Sequence, residues 1–179
     1  MRKLSHDEIS LSRHTQEELE PLKRTPVYVL LDSIRSLYNV GSIFRTSDGA
    51  RISELYLCGY TPHPPRKEID KTALGATKTV PWKYFENTSD ALDILRNKGV
   101  RICVLEHTDQ SVSYSALTKA DFPLCLVVGN EITGVSKEIV TRADMAIEIP
   151  MFGMKQSLNV AVAYGIAVFE MVRIWNEAR

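Results

Sequence analysis

Short apolar runs alternate with amphipathic stretches from residue 27 onward. Runs of this length, bounded by glycine, proline or polar residues, predict buried strands. TVPWKYF (79–85) is a weaker candidate because Pro81 lacks a backbone donor. The five stronger candidates are VYVLLD (27–32), ELYLCG (54–59), VRICVLE (100–106), PLCLVVGN (123–130) and MAIEIP (145–150).

The stretches between these runs predict helices. Asn39 is a possible N-cap for the first helix, Thr88 or Ser89 for the second, and Gly99 should end the second. Strands alternating with helices predict an α/β domain whose mostly parallel sheet is flanked by helices on both faces. The predicted helices are 39–50, 88–99 and 133–143.

Two segments lie outside this alternation. Residues 1–25 are polar and predict a short amphipathic helix or a loose arm, which leaves a single domain over 26–179. Residues 60–83 predict a loop with five basic against two acidic residues, a local excess of three positive charges. Such a patch could bind a polyanion locally, even though the charge of the whole chain does not attract one.

The stretch 160–169 carries no charge and predicts a helix buried on every side, yet Lys155, Gln156, Ser157 and Asn159 stand at its start. It is too short for a membrane span, which needs roughly 20 apolar residues. Together with the polar N-terminus, this leads us to expect a cytoplasmic protein without a membrane partner.

Composition limits the class further. The 179 residues, 44% hydrophobic and 25% charged, fit one globular domain, and the formal net charge is zero. A nucleic-acid site would therefore be a local patch. Cys58, Cys103 and Cys125 lie far apart in apolar runs, so we expect core residues in a reducing compartment and no metal site.

Polar groups follow three of the predicted strands, where ligands bind in parallel sheets. Asn39 and Arg45 follow the first strand, Glu131 follows the LVV strand, and Ser157 and Asn159 follow the IEIP strand. A helix cap, a solvated arginine and simple turn chemistry in GNEITG are the alternative interpretations. The histidines receive no role, and neither a dinucleotide fingerprint nor a Walker motif is present.

Three longer motifs carry a resemblance to a known family. LDSIRSLYNVGSIFRTSDGA, LVVGNEITGVS and IEIPMFGMKQSLNVAVAYGIAVFE resemble the motifs of the SpoU/TrmH branch of the SPOUT superfamily, in the same order, over about 26–175. Two positions depart from the pattern: Ala161 stands where serine is common, and Ile132-Thr133 where glycine or an acidic residue is common.

The resemblance implies S-adenosyl-L-methionine-dependent methylation of a ribose 2′-hydroxyl of tRNA or rRNA. It also implies a C-terminal trefoil (α/β) knot, a rare exception to unknotted chains, and a homodimer. It assigns catalytic roles to Asn39, Arg45, Glu131, Ser157 and Asn159, and cofactor contacts to Leu105, Gly129, Ile149 and Leu158.

The chemistry of these groups limits their roles. Arg45 is a poor base because the pKa of a guanidinium exceeds about 12, so its expected role is to bind a substrate phosphate. Asn39 and Asn159 can only orient groups, whereas Glu131 can position a neighbour or take part in proton transfer. The basic 60–83 segment is a candidate RNA contact, with Trp82 more readily explained as core.

Two other functions stay open at this point. The neutral charge and the expected lack of a separate substrate-gripping domain also fit a catalytically inactive RNA-binding module or assembly factor. A doubly wound α/β enzyme acting on a small nucleotide is a weaker alternative. Neither the particular RNA nor the modified nucleotide can be inferred from the sequence, beyond a slight preference for a transfer RNA or an exposed stem-loop.

Overall fold

The computed structural model describes residues 1–11 and 14–177. Its centre is a seven-stranded sheet with the strand order β3-β2-β1-β6-β4-β7-β5, and every neighbouring pair is parallel. The strands are β1 (Thr25–Asp32), β2 (Ile52–Cys58), β3 (Trp82–Phe85), β4 (Arg101–Leu105), β5 (Val112–Ser113), β6 (Leu124–Val128) and β7 (Met145–Glu148).

Helices connect these strands. The α-helices are α1 (His6–Leu11), α2 (Gln16–Leu19), α3 (Leu37–Ala50), α4 (Lys67–Ala73), α5 (Thr88–Asn97), α6 (Lys137–Arg142) and α7 (Val160–Glu177). Three short 3-10 turns cover Ala76–Lys78, Tyr114–Ala116 and Lys119–Asp121. None of the helices within the described part of the chain is long and apolar enough to cross a membrane.

Both faces of the sheet are buried, as the continuous apolar runs predicted. Along β6, Leu126 and Val128 pack on one side, whereas Cys125 and Val127 pack on the other. This alternation follows from the two-residue period of a strand. One face is covered by α3, α4 and α7, and the other by α5 and α6. The prediction of a parallel sheet flanked by helices is confirmed.

Several predicted boundaries need correction. Ser36, not Asn39, caps α3, because its hydroxyl accepts the Asn39 backbone N–H at 3.3 Å. Asn87 caps α5 in place of Thr88 or Ser89. Gly99 follows the end of α5 with φ of 72°, as a helix stop requires.

Three segments were also assigned to the wrong structure. The helix predicted over 133–143 begins only at Lys137, because Asn130 and Gly134 pair across a tight turn. Residues 60–83 contain α4 and a 3-10 turn where a loop was predicted. The two-residue strand β5 was not predicted at all, whereas the weak candidate containing Pro81 does contain a strand, β3, at an edge of the sheet.

The last helix, α7, is not buried on every side. Its buried stripe is Tyr164, Ala167 and Val168, continued by Met171, at the spacing of one helix face. On the opposite side, Val162 is 52% exposed and Phe169 is 50% exposed. The prediction of an all-round buried helix is therefore wrong for the single chain.

Candidate active site

A cavity of about 310 Å³ opens at the carboxyl ends of β4, β6 and β7, beside the start of α7. All four residues predicted to contact a cofactor line it: Leu105 at the end of β4, Gly129 after β6, and Ile149 and Leu158 between β7 and α7. Glu131, Ser157 and Asn159 line the same cavity. Residues more than fifty positions apart in sequence thus share one wall, because parallel strands end at the same edge.

Close packing of backbone shapes the floor of this cavity. A Cβ atom on Gly129 would lie 2.2 Å from both the carbonyl carbon of Gly134 and the nitrogen of Val135. The turn after it is closed by backbone hydrogen bonds of 3.0 and 2.9 Å between Asn130 and Gly134. Only glycine fits at position 129, so this position is sterically dictated.

Glu131 collects three hydrogen bonds from the segment that follows β1. Its carboxylate accepts the backbone N–H groups of Arg35 at 2.9 Å and Ser36 at 3.1 Å, and the side-chain amide of Asn39 at 2.9 Å. Burial alone would raise the pKa of Glu131, but these donors outweigh it and hold the pKa below its usual range. Glu131 is therefore an ionised anchor for the start of α3.

Asn39 extends this network to the last helix. Its side-chain oxygen accepts a hydrogen bond from the amide of Asn159 at 3.2 Å. The oxygen of Asn159 in turn accepts the backbone N–H groups of Ala161 at 2.9 Å and Val162 at 3.4 Å, so it caps α7. Glu131, Asn39 and Asn159 form one hydrogen-bonded chain from the β6 loop to α7, and Asn39 reaches it because Ser36 takes over the cap of α3.

A buried contact fixes α3 against α7 below this chain. The hydroxyls of Ser47 and Tyr164 lie 2.7 Å apart, and both residues are fully buried. Gly165 faces α3 at the same contact, where a Cβ would lie 3.9 Å from Thr46, an ordinary van der Waals distance. Asn39 and Asn159 are therefore held on helices that are packed rigidly together.

Arg45 and Ser157 stand outside the network. Arg45 lies on α3, about 120° around the helix from Asn39, and its exposed side chain has no hydrogen bond or ion pair among the described residues. Neither Arg45 nor Asn39 lines the cavity. Ser157 lines it, and its side chain likewise makes no hydrogen bond within the described chain. The catalytic roles of these residues stay predictions.

Sequence reasoning missed an acidic part of the cavity wall. Glu106, His107 and Glu148 line it, although none of them was singled out as a site residue. Glu106 accepts the backbone N–H groups of His107 and Val135, both at 2.9 Å. His107 was considered and given no role, since its neighbours in sequence offer no partner; Glu148, 41 residues away, lies 3.2 Å from its ring.

The three cysteines lie in the sheet, as predicted, and are fully buried and free. Burial raises the pKa of Cys58 and of Cys103 to about 12, and it raises the pKa of Cys125 as well. Their thiols are uncharged at neutral pH and unsuited to nucleophilic chemistry.

Known proteins resemble this chain over most of its length. Residues 26–169 match the model of the SpoU rRNA methylase family. A tRNA (guanosine(18)-2′-O)-methyltransferase of Aquifex aeolicus is 35% identical over 162 residues, which are 90% of this chain and 75% of that protein.

Solved structures agree with the sequence comparison. The A. aeolicus TrmH/SpoU tRNA-modifying enzyme is 34% identical and superposes with a TM-score of 0.78, covering 87% of this chain and 78% of its own. An AdoMet-bound rRNA methyltransferase from Sinorhizobium meliloti, also 34% identical, gives a TM-score of 0.79 and covers 84% of this chain and 57% of its own.

Proposed function

The chain belongs to the SpoU rRNA methylase family, and from this we propose that it is an S-adenosyl-L-methionine-dependent RNA ribose 2′-O-methyltransferase acting on tRNA or rRNA. The resemblance found in the three sequence motifs is thereby confirmed. One observation carries the proposal: the four predicted cofactor contacts and three of the five predicted catalytic residues line a single cavity.

The cavity suits the cofactor in size and chemistry. Its volume of about 310 Å³ lies in the range of small-ligand sites. Leu105, Ile149 and Leu158 offer apolar contacts to a purine ring, and the tight turn at Gly129 presents backbone close to a ligand. Glu106 places a carboxylate in the same wall, which favours a ligand that carries positive charge.

When bound, the cofactor supplies an electrophilic methyl group on a positively charged sulfur. The protein must then place the 2′-hydroxyl in line, so that the new C–O bond forms as the methyl–sulfur bond breaks and a neutral thioether leaves, with the hydroxyl proton passing to solvent. Positioning of two reactants at contact distance can supply roughly 7–11 kcal/mol of the barrier. Asn159 is suited to this positioning because its own orientation is fixed by Asn39 and by the start of α7.

Glu131 and Arg45 take different parts in this scheme. Glu131 holds Asn39, and its lowered pKa makes it a weak base at neutral pH, which favours positioning over proton transfer. Arg45 has no partner among the described residues and is exposed, which leaves its guanidinium free for a substrate phosphate. A phosphate bound there would anchor the RNA on α3, the helix that also carries Asn39.

Unpaired basic side chains in the predicted basic segment support RNA as the substrate. Arg66, Lys67, Lys71 and Lys78 have no ion-pair partner within the described chain, whereas Lys83 is paired with Glu54 at 2.9 Å. Unpaired cations of this kind bind a phosphate backbone through local charge, without a high charge of the whole protein.

Two exposed aromatic rings, Tyr60 and Tyr84, flank these cations in sequence. Tyr60 is 63% exposed, and its hydroxyl accepts a hydrogen bond of 2.7 Å from Asn130 in the cavity wall. Tyr84 is 40% exposed, with the ring of His63 4.6 Å from its own. Rings in such positions can stack on unpaired bases. Trp82 is instead half-buried against Phe44, in line with its interpretation as core.

The knot and the dimer are further parts of the proposal. The family resemblance supports threading of the C-terminal segment, within a single domain of residues 26–179 that follows an arm of residues 1–25. A partner subunit would cover apolar side chains that are exposed in the single chain, among them Phe152, Met154, Val162 and Phe169. A cytoplasmic location stays a prediction.

Mapping of ribose methylation tests the function in cells. Total RNA from cells with and without the gene should differ at one or a few 2′-O-methylated nucleotides, and the wild-type gene should restore them. An Arg45→Ala gene should not restore them. Identical methylation maps would argue for the inactive RNA-binding module, a function that none of the comparisons supports.

A further inference from the structure

The segment 150–158 forms much of one cavity wall but has little of its own to hold it. It contains neither helix nor strand and lies between β7 and α7. Phe152 and Met154 are 97% and 100% exposed in the single chain, so apolar packing within the chain does not fix the segment. Among residues 1–11 and 14–177, a single hydrogen bond reaches this segment, from the ring of His107 to the carbonyl of Gln156 at 3.1 Å.

The ring of His107 has acceptors on both sides. Its Nε2 faces the Gln156 carbonyl, and its Nδ1 faces a carboxylate oxygen of Glu148 at 3.2 Å. A neutral imidazole carries only one N–H and can satisfy only one of these oxygens. The doubly protonated imidazolium satisfies both, so the geometry itself selects the charged form.

The charged groups around His107 favour this form. Glu148 comes from β7, and its carboxylate also accepts the Ser111 hydroxyl at 2.6 Å. Glu106 precedes His107 and accepts its backbone N–H. Lys155, which precedes Gln156 in sequence, makes no ion pair within the described residues. Glu148 raises the pKa of His107 above its ordinary value, against a smaller lowering by burial, and the Gln156 carbonyl raises it further.

We propose that the His107 imidazolium is a positioning latch that ties segment 150–158 to β7 through Gln156 and Glu148. By holding Gln156, the latch fixes the neighbouring Ser157 and Leu158 at the cavity wall. Its consequence for S-adenosyl-L-methionine rests on the proposed function, whereas its effect on the segment does not.

The sign of the pH dependence follows from the raised pKa. Below the pKa of His107, both hydrogen bonds are present, and the segment is held. As the pH rises through this pKa, the ring loses one proton, and either the Gln156 or the Glu148 contact is lost. The segment should loosen at alkaline pH, and cofactor affinity should fall over the same range.

Backbone ¹⁵N relaxation in the free protein tests the latch directly. At pH 6, the order parameters of residues 151–158 should be lower in His107→Ala than in wild type, because the segment loses its hydrogen bond to the ring. The difference should shrink at pH 8.5. His6→Ala, a change in the exposed arm, serves as the matched histidine control and should leave these order parameters unchanged. Equal order parameters in His107→Ala and wild type at pH 6 would overturn the latch.

A second variant separates a latch from simple packing. Glu148→Gln keeps the shape of the side chain but removes its charge, so the midpoint of His107 titration in ¹⁵N spectra should move to lower pH. The pH at which the segment loosens should move with it. A His107 ring that is neutral at pH 6 in wild type would contradict the proposal, as would a loosening midpoint that stays in place.

Calorimetry with S-adenosyl-L-methionine extends the test to the cofactor. Between pH 6 and 8.5, the cofactor affinity of wild type should fall more steeply than that of His107→Ala. In His107→Ala the imidazole no longer titrates, whereas titration of the ligand itself is the same for both proteins. An identical pH dependence in the two proteins would refute the cofactor role of the latch. Absence of binding by wild type at every pH would instead refute the proposed function, since relaxation in the free protein decides the latch alone.

Discussion

Replacing Glu131 by glutamine tests whether this carboxylate organises the site. Its two oxygens accept three N–H groups, with Arg35 on one oxygen and both Ser36 and Asn39 on the other. Glutamine has one acceptor oxygen, and its NH₂ group would face a donor at the second position. One hydrogen bond is therefore lost, and the other two lose their ionised acceptor.

The size of the effect follows from these three bonds. A hydrogen bond to a charged group contributes about 1.5–3 kcal/mol, against about 0.5–1.5 kcal/mol for a neutral pair. Because Glu131 is exposed enough for water to replace part of the loss, we expect Glu131→Gln to lower the free energy of unfolding by about 1–2 kcal/mol at pH 7. The rate of methyl transfer should fall as well, by more than this loss of stability alone would cause, because Asn39 loses its ionised partner.

The pH dependence gives a sharper test than the magnitude. The pKa of Glu131 is lowered in the folded protein, so its contribution is complete above the unfolded pKa and is lost as the pH falls through the folded value. In urea unfolding followed by circular dichroism, the difference in free energy of unfolding between wild type and Glu131→Gln should narrow below about pH 4. Glu86→Gln, an exposed control without a hydrogen bond among the described residues, should show no gap. A gap that stays constant down to pH 3 would refute this reasoning.

Three further substitutions test other parts of the site. Asn159→Ala should lower the free energy of unfolding by about 1 kcal/mol through the lost helix cap, and it should lower the rate of methyl transfer at least tenfold. Asn159→Ser should recover the stability but not the activity. Equal recovery of both would contradict a positioning role. Gly129→Ala should destabilise the fold by about 1–3 kcal/mol through the clash with the backbone of Gly134, and it should weaken cofactor binding. Thermal unfolding and calorimetry would measure these two effects. Wild-type stability and wild-type affinity in this variant would contradict the close approach of the two backbone segments. Arg45→Ala should change stability by less than about 0.5 kcal/mol and leave cofactor affinity intact while methyl transfer is lost; unchanged turnover would exclude its assigned role.

Much of the fold could be predicted because the sheet is buried on both faces. Its strands read as continuous apolar runs, and five of them were located from that feature alone. Shorter elements escaped for physical reasons. The strand β5 has two residues, too few for a periodic pattern, and the cap of α3 is a serine that competes with a nearby asparagine.

The site was predictable only in part. Motif resemblance pointed to Leu105, Gly129, Ile149 and Leu158, and the structure places them at one cavity. His107 could not be found in this way, because its partner Glu148 becomes a neighbour only when β4 and β7 pair. The exposure of one side of α7 in the single chain could not be read from the sequence, since an uncharged stretch has the same composition whether or not its own chain covers both sides.

Transfer of a labelled methyl group to RNA tests the central claim most directly. Purified protein would be incubated with methyl-labelled S-adenosyl-L-methionine and total tRNA and rRNA from cells that lack the gene. The RNA would then be digested to nucleosides for mass spectrometry. The account predicts label on ribose as a 2′-O-methyl group, present with wild type and absent with Arg45→Ala. Label on a base, or no label in RNA despite measurable cofactor binding, would contradict it.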